Sequence, residues 1–140
     1  MALASNSISP LERARKGLVY DRFRSVGSLT AMDVPDSTGL YCIRLKEGVT
    51  FPTRFGQLRQ DRIIYIGQAS TSLRQRFWKQ ELNHIGAATF FRSIGAMLGY
   101  MPPKGSLVGK KNQNNFKFSP EDTESIREWM RKSLIVNCIP

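Results

Sequence analysis

The stretch RIIYIGQASTSLRQRFWKQ, residues 62–80, contains the pattern that decides the fold. It begins as a short apolar run of β-forming residues and continues, after a glycine, as a basic segment with helical character. We expect a strand from Arg62 to Ile66 that ends at Gly67, followed by a helix over about 72–84. The question that this stretch raises is why a core strand should lead directly into a strongly basic helix.

The flanking sequence predicts a small α+β domain around this unit. Residues 40–45, LYCIRL, and residues 134–139, LIVNCI, read as two more strands. Helices are expected over about 9–24, 88–100 and 120–132, and proline residues stand at the start of the first and the last of these. The predicted fold is a single domain over 1–140, with a small, mainly antiparallel three-stranded sheet flanked by helices and an N-terminal helical arm at about 9–24.

The charge of the chain favours a polyanionic partner. The chain has 21 Lys and Arg against 11 Asp and Glu, which gives a formal net charge of +10 and a pI near 10.1. Such an excess on 140 residues is typical of proteins that bind nucleic acid, although an ordinary enzyme with a basic surface would show it too. The charge therefore favours nucleic acid as the partner.

Composition also bears on the compartment and on membranes. No apolar run approaches the ~18 residues that a membrane span needs, and the N-terminus does not resemble a secretory signal. Cys42 and Cys138 lie in strand-like apolar segments, which indicates two buried thiols in a reducing compartment. With one histidine they form no zinc pattern. A cytoplasmic protein with no membrane association is the expectation.

Two tripeptides and an arginine give the chain a family resemblance. Gly39-Leu40-Tyr41 on one strand, Tyr65-Ile66-Gly67 on the next, and Arg76 in the following helix resemble the motifs of the GIY-YIG nuclease family. The tyrosines stand 24 positions apart, more than in compact members, so the connecting loop is an insertion. Such an insertion is similar to the restriction-endonuclease-like branch of the family.

The resemblance implies roles for these side chains in hydrolysing a phosphodiester bond. In the family a strand tyrosine is proposed to activate the attacking water, which by position is Tyr41, with Tyr65 beside it orienting water or phosphate. A free phenol has a pKa near ~10, so nearby cations would have to lower it. Arg76 would bind the non-bridging phosphate oxygens. The alternative for each residue is an ordinary structural position.

His84 is a further catalytic candidate. Some restriction-type members carry a histidine about one turn after the arginine, where Gln80 stands here. At 100° per residue Arg76, Gln80 and Asn83 share one flank of the predicted helix, whereas His84 falls on the stripe of Leu73 and Phe77. His84 is therefore either a catalytic residue or a histidine at the end of the helix or in the core.

Several basic side chains around the motifs are candidates for binding nucleic acid. They lie in the inserted loop, in the helix that carries Arg76, and in the stretch 104–118, which has four lysines. The candidates are Arg54, Arg59, Arg62, Arg74, Lys79, Lys104, Lys110 and Lys111. Arg74 also competes with Arg76 for the phosphate-binding role, and the 104–118 stretch has the alternative of being a solvated loop.

The resemblance also implies a divalent cation, usually magnesium, held by a glutamate on a helix after the third strand. Here the third predicted strand is the last element, and Glu121, Glu124 and Glu128 precede it. The metal ligand is therefore unknown. We expect a shortened nuclease core that lacks the metal-binding helix, binds DNA and cuts it poorly.

Three interpretations follow from the sequence. The favoured one is a metal-dependent DNA endonuclease core, which could need a homodimer to cut both strands. The second is a catalytically inactive or truncated module that retains the scaffold and binds nucleic acid. The third is a structural or partner-binding domain with a coincidental pair of motifs.

Overall fold

The computed structural model describes residues 9–20, 22–51, 62–84, 89–101 and 117–140. The described part of the chain contains α-helices, two 3-10 helices, a π-helix and four strands. In order they are α1 (Pro10–Tyr20), β1 (Arg24–Ser25), two 3-10 helices (Val26–Ser28 and Ala31–Asp33), β2 (Gly39–Leu45), β3 (Ile63–Ala69), a π-helix (Arg74–Leu82), α2 (Thr89–Met97), α3 (Pro120–Ser133) and β4 (Leu134–Ile139).

The sheet has four strands in the order β1-β4-β2-β3, and all of its pairs are antiparallel. The α+β class is therefore confirmed, but the prediction of three strands is wrong. The additional strand is the two-residue β1, in which Arg24 pairs with Val136 and Ser25 with Ile135. Of these two residues, Arg24 was expected at the end of a helical arm, but α1 ends at Tyr20. As a strand they pair with two backbone positions on the otherwise open edge of β4.

Strand β3 does not end at Gly67, as the sequence predicted, but continues to Ala69. The reason is the residue opposite: Tyr41 on β2 pairs with Gly67, and its ring lies over the glycine. A Cβ at position 67 would overlap the ring carbons and the hydroxyl oxygen of Tyr41. Gly67 thus gives space to a cross-strand aromatic ring rather than ending the strand.

The two faces of the sheet are covered differently. The main core lies on the face of Tyr41, Ile43 and Val136, where the π-helix, α2 and α3 pack. Strand residues of the opposite face, such as Cys42, lie toward α1, and Asn137 donates hydrogen bonds of 2.8 and 3.0 Å to the carbonyls of Gly17 and Leu18 in that helix. The result is a sheet between two helical layers.

Local signals at the helix ends are confirmed. The hydroxyl oxygens of Ser9 and Ser119 accept hydrogen bonds of 3.1 Å from the backbone N–H groups of Glu12 and Asp122, so both serines cap their helices. Both cysteines are thiols that form no disulfide, and Cys42 is fully buried while Cys138 is half-buried. Within the described ranges no helix is both long and apolar enough to cross a bilayer.

Because the Tyr41 ring occupies the space above Gly67, we expect Gly67→Ala to lower the free energy of unfolding by about 1–3 kcal/mol, measured by urea titration. The matched control is Gly17→Ala in α1, where the nearest atom to the new Cβ is a methyl carbon of Ile139 at 4.0 Å. That substitution should be neutral or stabilising by up to about 1 kcal/mol. Equal effects of the two changes would contradict this account of the β2–β3 pair.

Candidate functional site

The two motif tyrosines lie side by side on the same face of the sheet. Tyr41 pairs with Gly67 and Tyr65 with Ile43 in the β2–β3 ladder, which gives both tyrosine side chains the same orientation. Their ring centroids are 6.0 Å apart. The structure therefore brings together the two tyrosines that the sequence singled out, 24 positions apart in the chain.

The tyrosine pair differs in its access to solvent. Tyr41 is only 1% exposed, and its ring stacks on Phe77 of the π-helix with centroids 4.6 Å apart. Tyr65 is half-buried, and its ring centroid lies 5.0 Å from that of Phe90 in α2. Tyr41 therefore belongs to the core, whereas Tyr65 stands at its rim.

Burial raises the pKa of the Tyr41 phenol well above its ordinary value, and the charge of Glu81 and the neighbouring Tyr65 phenol raise it further. Arg76 acts in the opposite direction, through a hydrogen bond and its charge, but does not outweigh burial. The sequence analysis required cations to lower this pKa. The effect of the arginine is present with the expected sign, yet the Tyr41 phenol is neutral at physiological pH.

Arg76 connects this buried cluster to the surface. Its side chain is 44% exposed, and its guanidinium lies within hydrogen-bonding reach of the Tyr41 hydroxyl. One terminal nitrogen, Nη1, donates a 3.2 Å hydrogen bond to the Gln80 side-chain oxygen. The other, Nη2, lies 3.5 Å from a carboxylate oxygen of Glu81. Arg76 thus lies beside Tyr41, and its catalytic role stays a prediction.

Glu81 is the site residue that sequence reasoning missed. Its side chain is fully buried, and neither carboxylate oxygen has a hydrogen-bond partner in the described part of the chain. Burial raises the pKa of the Glu81 carboxyl, while the Arg76 charge and the nearby backbone N–H of Phe90 partly offset that effect.

The reason for missing Glu81 is the helix type. At the 3.6 residues per turn of an α-helix, side chains five positions apart point about 140° away from each other. Residues 74–82 form a π-helix, whose hydrogen bonds run from residue i to i+5, so that residues five apart come close together. This winding places Glu81 next to Arg76. Extended π-helix is rare and is found frequently at functional sites, but no local sequence signal announced it here.

An open cavity of about 410 Å³ lies between the end of β3 and the start of the π-helix. Among the residues that the structure describes, its wall contains Arg76 and otherwise neutral polar residues. They are Gln68, Ser70, Thr71, Ser72, Gln75 and Gln80. A single cation surrounded by uncharged hydrogen-bonding groups is suited to an anion with several oxygens, such as a phosphodiester.

His84 stands apart from this cluster. It follows the end of the π-helix with a φ of +55°, and its ring stacks on Phe91 with centroids 4.3 Å apart. Burial lowers the pKa of the imidazole, and the charges of Arg127, Arg92 and Lys117 lower it further. The position agrees with the alternative of a histidine at a helix end, and the contacts described for it do not include Tyr41, Tyr65 or Arg76.

Two of the arginines predicted to bind nucleic acid are engaged within the protein. The first is Arg74, whose Nε donates to the carbonyls of Ala31 and Val34 at 3.0 and 3.1 Å and whose Nη1 lies 3.9 Å from Asp36. Arg74 thus holds the 31–36 segment against the π-helix, and Arg76, not Arg74, lines the cavity.

Arg62 has a comparable structural position. With a φ of +59°, it donates to the carbonyl of Lys46 at 2.7 Å and also to the carbonyl of Val49. These hydrogen bonds fasten the end of β2 to the start of β3. Lys79, in contrast, is exposed on the π-helix. Arg54, Arg59, Lys104, Lys110 and Lys111 lie outside the described residues.

The described residues do not fit a magnesium site. Among them, no three His, Cys, Asp or Glu side chains come together. Mg²⁺ is usually held by one or two carboxylates and keeps several waters. Glu81 is the carboxylate closest to the tyrosine pair in these interactions, but it is enclosed and faces the Arg76 cation. Glu124 is paired with Arg127 and Arg131 on α3.

Comparison with known families supports the resemblance. The model of the GIY-YIG catalytic domain matches residues 39–140, which includes both tyrosines, the π-helix and β4. No curated protein and no solved structure matches the chain. The matching model describes the catalytic domain of the family in general, so the match does not assign the chain to the restriction-endonuclease-like branch.

Because Arg74 serves the fold, we expect Arg74→Gln to lower the free energy of unfolding by about 1.5–3 kcal/mol, as is usual for losing hydrogen bonds from a charged group. Chemical denaturation measures this, with Arg13→Gln on the exposed face of α1 as the matched control. If the Arg74→Gln protein were as stable as the wild type but bound DNA more weakly, Arg74 would instead be a residue that contacts the DNA.

Proposed function

The chain belongs to the GIY-YIG catalytic domain family, and on that premise we propose that it is the core of an endonuclease that hydrolyses phosphodiester bonds in DNA. The observation that carries the proposal is the position of Arg76. Its guanidinium reaches the Tyr41 hydroxyl on one side and lines the open polar cavity on the other.

Arg76 is the group that binds the scissile phosphate. A guanidinium has five donors in a planar fork, of which the contacts with Gln80, Glu81 and Tyr41 use only some. The remaining donors can bind the non-bridging oxygens of a phosphodiester and stabilise the charge that develops on them during attack. The hydroxyl and amide side chains of the cavity can bind the adjoining backbone without adding charge.

Tyr41 acts in its neutral form. Because its pKa is raised, the phenol keeps its proton at neutral pH, and a free phenolate is a minor species. Its hydroxyl therefore contributes as a hydrogen-bonding partner of Arg76. Tyr65, half-exposed beside it, is the tyrosine with access to a water molecule.

Magnesium is part of the proposal only through the family. The cation would neutralise phosphate charge and activate water, but the described residues do not supply its ligands. DNA as partner rests on the family and on the +10 charge. Cutting both strands with one site per chain would require a homodimer, and the proposed cytoplasmic location rests on the two cysteines that form no disulfide.

The runner-up is a binding module that has lost catalysis. It is favoured by the enclosed Tyr41 hydroxyl and by the lack of a fitting metal site in the described ranges. It predicts binding of duplex DNA without cutting.

We expect nicking of supercoiled plasmid in the presence of magnesium, and a loss of about 10²–10³ in rate for Arg76→Lys, because a single ammonium cannot replace the fork. Arg13→Lys on the opposite side of the sheet is the matched control and should cut like the wild-type protein. Unimpaired cutting by Arg76→Lys would show that the Arg76 guanidinium is not needed for cutting. Tight binding with no nicking by any form would favour the binding module.

A second expectation concerns the lysines at 110 and 111. If they bind the DNA backbone, replacing both with Gln should weaken binding and reduce the slope of log K against log[salt] by about 0.9 for each phosphate that is no longer neutralised. Fluorescence anisotropy with a short duplex over a series of salt concentrations measures this. Lys16→Gln on α1 is the control, and an unchanged slope for the double variant would exclude this stretch from the footprint.

A further inference from the structure

Glu81 is a charged group that the fold encloses completely. Its side chain is fully buried, its two oxygens lack hydrogen bonds of good geometry among the described residues, and the backbone N–H of Phe90 lies nearby. Enclosing a carboxylate in this way is costly, and replacing a buried ion pair with apolar residues of similar size is often neutral or stabilising. Stability alone therefore does not explain why this position is a glutamate.

The only ion pair described for Glu81 is with Arg76. The carboxylate oxygen and the Nη2 nitrogen are 3.5 Å apart, which is an electrostatic contact rather than a close hydrogen bond. A contact of this kind attracts the guanidinium without occupying its donors fully. Arg76 and Gln80 line the cavity, whereas Glu81 does not and is fully enclosed.

Three groups thus fix the direction of the Arg76 fork. Gln80 accepts from Nη1, Glu81 attracts Nη2, and the Tyr41 hydroxyl is within hydrogen-bonding reach. Of the three, Glu81 is the one that carries a charge, and its enclosure reduces the screening of that charge by water and salt. It is therefore the strongest of the constraints on the orientation of the guanidinium.

We propose that Glu81 is a positioning residue that holds the Arg76 guanidinium between the Tyr41 hydroxyl and the cavity, so that the free donors of the fork face a substrate phosphate. The proposal rests on the proposed nuclease function and deepens it. Glu81 does not touch the DNA in this account; it acts through Arg76.

The proposal makes a specific kinetic prediction. Glu81→Gln keeps the shape of the side chain but removes the charge, which leaves the fork free to turn. The turnover number should fall about 10–100-fold, since misplacing a catalytic group by a small distance has effects of that size. KM should stay the same or decrease, because removing a negative charge near the phosphate does not weaken its binding.

The experiment compares four proteins on one fluorescent duplex: wild type, Glu81→Gln, Glu81→Asp and Glu128→Gln. Glu128 is exposed on α3 and gives a matched glutamate-to-glutamine control that should behave as wild type. Glu81→Asp retains the charge on a shorter side chain and should restore part of the turnover. A fall in turnover with a parallel rise in KM, or no change in either, would overturn the proposal.

An independent measurement does not depend on catalysis. In ¹⁵N-arginine NMR, rotation of the Arg76 guanidinium about its Nε–Cζ bond should be slow in the wild type and faster in Glu81→Gln, with Arg76→Lys used for assignment. If the wild type cuts no DNA, the proposed function fails while faster rotation in the variant still supports the role of Glu81. Unchanged rotation, or failure of both Glu81 variants to fold, would overturn that role whatever the activity.

Discussion

The packing of the Tyr41 ring over Gly67 is the constraint on which the site depends. It sets the register of β2 against β3, because a side chain at position 67 would occupy the space of the ring. A slip of one residue would send the tyrosine to the opposite face of the sheet. The same packing places Tyr65 beside Tyr41 and brings both against aromatic residues of the neighbouring helices. The two tripeptide motifs are thus one packing unit.

The π-helix extends that unit to the surface. Phe77 anchors the helix beneath Tyr41, and its winding brings Arg76 and Glu81 to the same side. The buried Glu81 carboxylate thus lies 3.5 Å from the half-exposed Arg76 guanidinium, which in turn lines the cavity. In the proposed function, a tyrosine that is itself almost inaccessible would influence a phosphate at the surface through the arginine.

The basic residues around the site show that charge alone does not identify a binding surface. Arg74 and Arg76 are two positions apart in one helix, yet Arg74 is held by backbone carbonyls and Arg76 faces the cavity. Arg62 is likewise used to fasten the ends of two strands. Part of the high positive charge therefore stabilises loops, and the share available for DNA is smaller than the composition suggests.

The sequence alone predicted the α+β class, the pairing of the two motif strands and the serine caps of the helices, and it singled out the two tyrosines that the structure places side by side. These features follow from short-range patterns: runs of β-formers, serine–proline helix starts and a pair of motifs in order. The tertiary structure alone decided the fourth strand, the continuation of β3 through Gly67, the structural use of Arg62 and Arg74, and the burial of Glu81. Each of these depends on a partner distant in the chain or on a change of helical winding, and neither leaves a mark in the local sequence.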